Sequence, residues 1–461
     1  MLERIKHVHF VGIGGAGMSG IAKVLSDLGY KVSGSDLKPT DVTERLEKSG
    51  VTIFIGHRKG QMGRADVVVV STAIPNENEE ICEAREKEIP IWPRAKMLGA
   101  VMGLQKGIAV AGAHGKTTTT SMISLVLERA GKDPSVVVGG ELDDIGGNAK
   151  LGKGEYLVAE ADESDGSLLN LDPEILVVTN IDDDHLDHYG SLDKILETFQ
   201  NMINKLDEED LAVLCIDDEN IRSVSGCIKS RTCTYGIHPD ANIRAVNIKW
   251  LPLGSEFELL KNGHFLGKMR LHVPGIHNVR NSLASLAVCL EAGLSFDQAA
   301  SAISQFRGVH RRFQLIGEID GIRVFDDYAH HPSELKATLS AAKLENPGRV
   351  IAVFQPHRYT RTKFLQKGFG SAFLDADQII LTDIYSAGEQ PIEGIDSQLL
   401  EKHIITNGHK NVSFIRDLEQ IAQTLASQVQ SGDIILTLGA GNIWQVGPAL
   451  IRELGKEKAV M

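Results

Sequence analysis

The chain has no run approaching about 18 apolar residues, which excludes a membrane-spanning helix. No long apolar stretch follows the charged opening "MLERIKHVHF", so no cleavable export signal is expected. Cysteine is sparse: five residues, at 82, 215, 227, 233 and 289, are scattered without a C-x-x-C pair, which argues against a metal or redox site. Cys227 and Cys233 are the closest of these and are read as incidental. Basic charge is also short, with 48 Lys and Arg against 61 Asp and Glu for a net charge of -13. That balance argues against a general phosphate-backbone binder, and no nucleic-acid partner is expected. A soluble protein of a reducing cytoplasm fits these absences, with no membrane insertion. What is present is length: 461 residues are too many for one core and predict about three domains.

Short apolar runs alternate with helical patterns over the first ninety or so residues: "HVHFVGI", a helix from about Ser19 to Leu28, "YKVSGSD", "ADVVVVSTAI" and "IPIW". Such alternation implies a parallel sheet with crossover helices. A boundary is expected near Pro93, where "WPRAKMLG" begins a new helix. A second series runs through "KGIAVAG", "GEYLVAEAD" and "PEILVVTNI", and residues 230–275 turn β-rich. A helix follows at 277–295, and a third α/β block after "FRGVHRRFQ" has strands at "IRVFDDY", "RVIAVFQ", "DQIILTDI", "VSFI" and "DIILTLGAG". The fold expected is α/β in three domains: a Rossmann-like domain over 1–94, a central P-loop-type ATPase domain with a β-rich insertion over 95–311, and a Rossmann-like domain over 312–461.

Two glycine-rich loops carry the chemistry. In "VGIGGAGMSG", Gly12, Gly14 and Gly17 fit G-x-G-x-x-G between a strand and a helix, and Asp36 ends the next strand. Taken alone, this is a dinucleotide fingerprint, and it supports an NAD-dependent oxidoreductase. The pattern reports only a diphosphate docked on backbone N–H groups, so a nucleotide-sugar diphosphate satisfies it equally. In "VAGAHGKTTTT", Val110 stands where an ordinary phosphate loop has its first glycine, yet Lys116 and Thr117 keep their places for terminal phosphates and Mg2+. Downstream, "VAEADESD" and "NIDDDHLDHYGS" end two strands with Glu160, Asp162, Glu163 and Asp165, then Asp182, Asp183, Asp184 and His185. Acids at the carboxyl ends of parallel strands lie where ligands bind in open sheets, and hard oxygen donors favour Mg2+ over zinc. His188 is read as structural.

Together "GIGGAGMSGIA", "AHGKTTTT", "EADESDGSL", "TNIDDDHLDHY", "PGIHNVRNSLA", "GVHRRFQ", "DDYAHHPSE", "QPHRYTRT", "DIYSAGE" and "LGAGNI" resemble, in order and over nearly the whole chain, the ATP-dependent Mur ligases of peptidoglycan synthesis. The resemblance implies that the second loop (Gly112, Ala113, His114, Gly115, Lys116, Thr117, Thr118) holds ATP, Ala113 replacing the usual Thr. It implies metal binding by Thr117, Glu160 and His185, adenine recognition by Asn278 and Asn281, a γ-phosphate contact from Arg312 and a ribose contact from Asp327. Lys116, Glu160, His185 and Arg312 are thereby the catalytic candidates. The first loop (Gly12, Gly14, Gly15, Ala16, Gly17, Met18, Ser19), with Asp36 and Ser71, is assigned to the UDP-sugar. His330, His331, His357, Arg358 and Arg361 are candidates for the cleft where amino acid and muramyl carboxylate meet. The substrates implied are UDP-N-acetylmuramate and L-alanine, with a tripeptide-joining recycling activity as the alternative. A monomer–dimer equilibrium is left open.

Overall fold

In a computed structural model, described over residues 2–142, 147–226, 228–345 and 347–460, the chain forms three mostly parallel sheets. Cys227 lies outside the described residues, and the other four cysteines are unpaired. The first sheet is wholly parallel, in the order Thr52–Ile55, Lys31–Asp36, His7–Val11, Val67–Val70, Ile91–Pro93. Its order reverses beside His7–Val11, and at such a reversal a crevice opens at the carboxyl ends of the strands. The first glycine loop stands there, and its helix, Ala16–Asp27, begins three residues earlier than the sequence pattern placed it.

The central sheet has ten strands. Its parallel heart comprises Tyr156–Glu160, Lys106–Ala111, Ile175–Val178 and Leu211–Cys215, mostly apolar and buried because helices cover both faces, and Arg231–Gly236 adds a more polar parallel strand that is buried only at its end. The β-rich stretch is no separate layer. Ile243–Leu251, Gly254–Lys261 and His264–Leu271 extend one edge of the same sheet, antiparallel to one another. At the other edge Ser135–Leu142, whose apolar run is the buried Val136–Val138, and Gly147–Lys150, which has none, form a hairpin that packs on the helix after the first loop. The third sheet has six strands, and its outer strand Gln314–Ile319 is antiparallel to Ile322–Asp327.

The apolar core is continuous from Leu2 to Val309, so the first and central units share one interior. The third unit has its own core on each face of its sheet. Side-chain contacts that join it to the central unit around the site are mostly polar: Ser333 to Asp182, Arg358 to Asp187 and Arg361 to Asp184. No helix among the described residues is long and apolar enough to cross a membrane.

Candidate active site

Backbone geometry shapes the second loop first. The strand Lys106–Ala111 gives way to the helix Lys116–Arg129, and Gly115 between them has a φ of 82°. A Cβ there would stand 2.7 Å from the Asn281 amide oxygen, so this turn accepts only glycine. No side chain caps the helix, which leaves its first N–H groups for an anion. Lys116 folds back over the loop: Nζ donates to the carbonyls of Gly112 at 2.5 Å and Ala113 at 3.1 Å and to Glu163 Oε1 at 2.7 Å. Burial opposes the ammonium, but Glu163, with Asp162 and Glu160 beyond it, raises its pKa above the ordinary value. Glu163 thus occupies the charge that a terminal phosphate would otherwise meet.

Glu160 ends its strand beside Thr117, and burial pushes its pKa up against the Gly139 N–H, Lys116 and the Thr117 hydroxyl. Its Oε1 is buried with no hydrogen-bond partner. His185 takes a left-handed backbone conformation, φ 59°, which puts a non-glycine residue under strain at the carboxyl end of the sheet. Its Nε2 lies 3.7 Å from Glu163 Oε1 and 3.6 Å from Asp184 Oδ2, and burial holds its pKa down. The Thr117 hydroxyl and the orphaned Glu160 oxygen are hard donors that suit a divalent cation, while His185 lines the same cavity but stands against Glu163 and Asp184. A second cluster, His114, Asp182 and His331, has ligating atoms within 4.8 Å of one another. His114 fits a cation poorly, because Asp182 at 3.0 Å and Glu334 at 3.5 Å overcome burial and raise its pKa to about 10.

Two cavities meet here. The first, about 470 Å³, is lined by His114, Gly115, Thr117, Thr118, Asn278, Asn281 and Asp327 among others. Asn278 Nδ2 donates to the Pro274 carbonyl at 2.7 Å, and Asn281 Nδ2 to Asn278 Oδ1 at 3.3 Å. Asp327 accepts from the N–H groups of Phe313 at 2.8 Å and Ala329 at 2.7 Å, and burial pushes its pKa up to about 6. The second cavity, about 590 Å³, is lined by Ala16, Gly17, Ala113, Lys116, Glu160, His185, His330 and Arg361 among others. Thr117, Val309, Arg312 and Glu334 line both. Gly112 lines neither, although its carbonyl holds Lys116.

Only Ala16 and Gly17 of the first loop face the second cavity; Gly12, Gly14, Gly15, Met18, Ser19, Asp36 and Ser71 line neither. Asp36 is turned onto its own loop, accepting from Gly14 N–H at 2.8 Å and Leu37 N–H at 2.7 Å. In the third unit His330 and Arg361 reach the second cavity, whereas His331, His357 and Arg358 line neither. His331 caps the helix Pro332–Lys343, His357 stacks on Tyr385, and Arg358 pairs with Glu389 at 2.7 Å.

Several residues of the site were given no role by the sequence, although His277 lies within "PGIHNVRNSLA" and Glu334 closes "DDYAHHPSE". Arg94 pairs with Asp162 at 2.5 Å, and a side chain at Gly17 would run into its guanidinium. His277 has a buried, unpartnered Nδ1 on the first cavity, and burial lowers its pKa to about 4. Glu334 joins the two cavities, and only its place three residues after His331, in a capping box, was visible in the chain.

Models of three parts of one family match in succession. "Mur ligase family, catalytic domain" covers residues 7–106, "Mur ligase middle domain" 110–289 and "Mur ligase, glutamate ligase domain" 311–441. The chain belongs to the Mur ligase family. This Mur ligase is 51% identical over 460 residues to the UDP-N-acetylmuramate--L-alanine ligase of Pelotomaculum thermopropionicum, covering 100% of both chains. Among solved structures it is similar to the UDP-N-acetylmuramate-alanine ligase of Thermotoga maritima, with a TM-score of 0.81, 30% identity and coverage of 98% and 99%. A murein peptide ligase from Psychrobacter arcticus shares the fold, with a TM-score of 0.70 at 24% identity over 97% and 98%. Family membership retires the dehydrogenase reading of the first loop: the chain is a ligase.

Proposed function

We propose that this Mur ligase joins the carboxylate of UDP-N-acetylmuramate to the amine of L-alanine at the expense of ATP, in cytoplasmic peptidoglycan precursor synthesis. The observation that carries the reading is the shared wall of the two cavities, where Thr117 and Arg312 face both and Lys116 and Glu160 stand alongside. A nucleotide in the first cavity would direct its terminal phosphate at an acceptor in the second. Residues 1–94 then serve the UDP-sugar, 95–311 ATP, and 312–461 the amino acid and the clamp on ATP.

An amide cannot form from a carboxylate and an amine in water without activation, because the leaving oxygen is too poor. The sugar carboxylate attacks the γ-phosphate, forming a C–O–P linkage as the bond to ADP breaks. The alanine ammonium gives up a proton to solvent, the resulting amine attacks the acyl carbon, and the tetrahedral adduct loses a second proton from nitrogen as its C–O bond breaks and phosphate leaves. Lys116, released from Glu163, and Arg312 offset the charge carried by the transferring group. Mg2+ held by Thr117 and Glu160, with His185 beside them, would supply further charge neutralisation. Asn278 and Asn281 are assigned to the adenine and Asp327 to the ribose. Ala16, Gly17 and Arg94 are assigned to the anionic part of the sugar nucleotide, and His330 and Arg361 to the amino-acid end.

Phosphate release with Mg-ATP and UDP-N-acetylmuramate tests the reading, with L-alanine in one reaction and L-Ala-γ-D-Glu-meso-diaminopimelate in the other. Release that requires L-alanine, with product of the UDP-muramyl-alanine mass, supports it. Release only with the tripeptide moves the chain to recycling.

A further inference from the structure

Arg312 is placed by an unusual amount of structure. The residues on either side of it, Arg311 and Phe313, have left-handed backbones with φ of 59° and 46°, and such strain persists only where the surroundings fix it. Those surroundings are visible. Arg311 Nε donates to Asp326 at 2.8 Å and its Nη2 to the Gly439 carbonyl at 2.7 Å, while Phe313 N–H is held by Asp327. The Arg312 guanidinium lies over the Tyr328 ring, 5.3 Å from its centroid, and Nη1 donates to Glu334 Oε1 at 3.2 Å. That single carboxylate contact leaves most of the guanidinium fork turned to the shared wall of the cavities.

Glu334 has four further partners, one of them the ring Nδ1 of His330, 3.4 Å from Oε2. Oε2 accepts from the N–H groups of His330 at 3.0 Å and His331 at 3.2 Å, and Oε1 lies 3.5 Å from His114 Nδ1. One largely covered carboxylate therefore touches the second loop through His114, the cation over both cavities through Arg312, and the segment proposed for the amino-acid side through His330. His114, Arg312 and His330 outweigh burial and hold it ionised, well below the usual carboxylate range.

We infer that Glu334 is a positioning residue that aims Arg312 and ties nucleotide occupancy to the amino-acid side of the site. The inference rests on the ligase reading above and deepens it, because that reading gives Glu334 no part. Glu334→Gln tests it. The amide oxygen still accepts from the helix-capping N–H groups, so the fold should keep its melting temperature, while the charge that orients Arg312 and His114 is gone. With wild type confirmed active, the variant should weaken ATP-analogue binding by calorimetry about tenfold and lower kcat by a similar factor. Its affinity for UDP-N-acetylmuramate should be unchanged. Because Glu334 acts through Arg312, the double variant Arg312→Ala, Glu334→Gln should be no slower than Arg312→Ala alone. A merely structural role would instead lower the melting temperature, weaken both ligands together and add to the Arg312→Ala loss, and any of these overturns the proposal. Unchanged nucleotide affinity and kcat in Glu334→Gln overturns it as well. A wild type that never releases phosphate removes the ligase reading and this proposal with it, which separates the two failures.

Discussion

The site turns on individual charges that occupy one another. Lys116 is met by Glu163 across 47 residues of chain, and no local pattern announces that pair. Lys116→Ala should lower kcat by at least 10² to 10³, the order expected when one transition-state donor is lost. UDP-sugar affinity, measured by calorimetry, should stay within about twofold if the first loop is the one that holds the sugar nucleotide, as proposed. Affinity falling in step with kcat would contradict the separation of the two loops. Residues with a local signature were legible: Gly115, Lys116 and Thr117 follow from the spacing of a strand, a tight turn and a helix start. Glu160 and His185 were legible as acid and imidazole at strand ends, although nothing in "DDDHLDH" revealed the left-handed turn at His185. Arg94 was invisible because its partner Asp162 is 68 residues away. Asp36 followed the fingerprint in sequence, yet its carboxylate braces Gly14.

Among the elements, the segment after Ile175–Val178 is the one that the third unit grips. Arg361, largely covered, donates to the buried Asp184 at 3.3 Å, and against burial Arg361 holds the Asp184 carboxyl well below the usual range. A carboxyl depressed in the fold stabilises it above about 3.8, the unfolded value, and that contribution is lost as pH falls further. Arg361→Ala leaves Asp184 without that partner and should cost roughly 3 kcal/mol in urea unfolding. A loss near zero would mean that the grip adds nothing. His114 sets the alkaline side. Raised to about 10 in the fold, its protonated form stabilises fully below about 6.5, and that stability disappears as pH climbs through about 10. Wild-type melting temperatures should therefore fall across this window, and His114→Gln should flatten the decline; parallel curves would contradict the assignment. The sequence pattern found the parallel strands here because they are continuous apolar runs. It passed over Gly147–Lys150 and Gln314–Ile319, where mixed composition leaves pairing to tertiary contacts, and over Ser135–Leu142, whose apolar run is only the three valines Val136–Val138.

Over the whole molecule, the first and central units share one apolar interior, while the third is joined around the site mostly through ions and hydrogen bonds. Polar interfaces of that kind are the ones across which domains move. Closure of the third unit over the shared wall would keep water from an acyl phosphate that hydrolyses readily. The central claim is that the sugar carboxylate is phosphorylated at this wall before the amine attacks. UDP-N-acetylmuramate carrying heavy oxygen in its carboxylate tests it most directly, with Mg-ATP and L-alanine and mass analysis of the released phosphate. One labelled oxygen in each phosphate is the predicted result. Unlabelled phosphate accompanying amide formation would contradict the account.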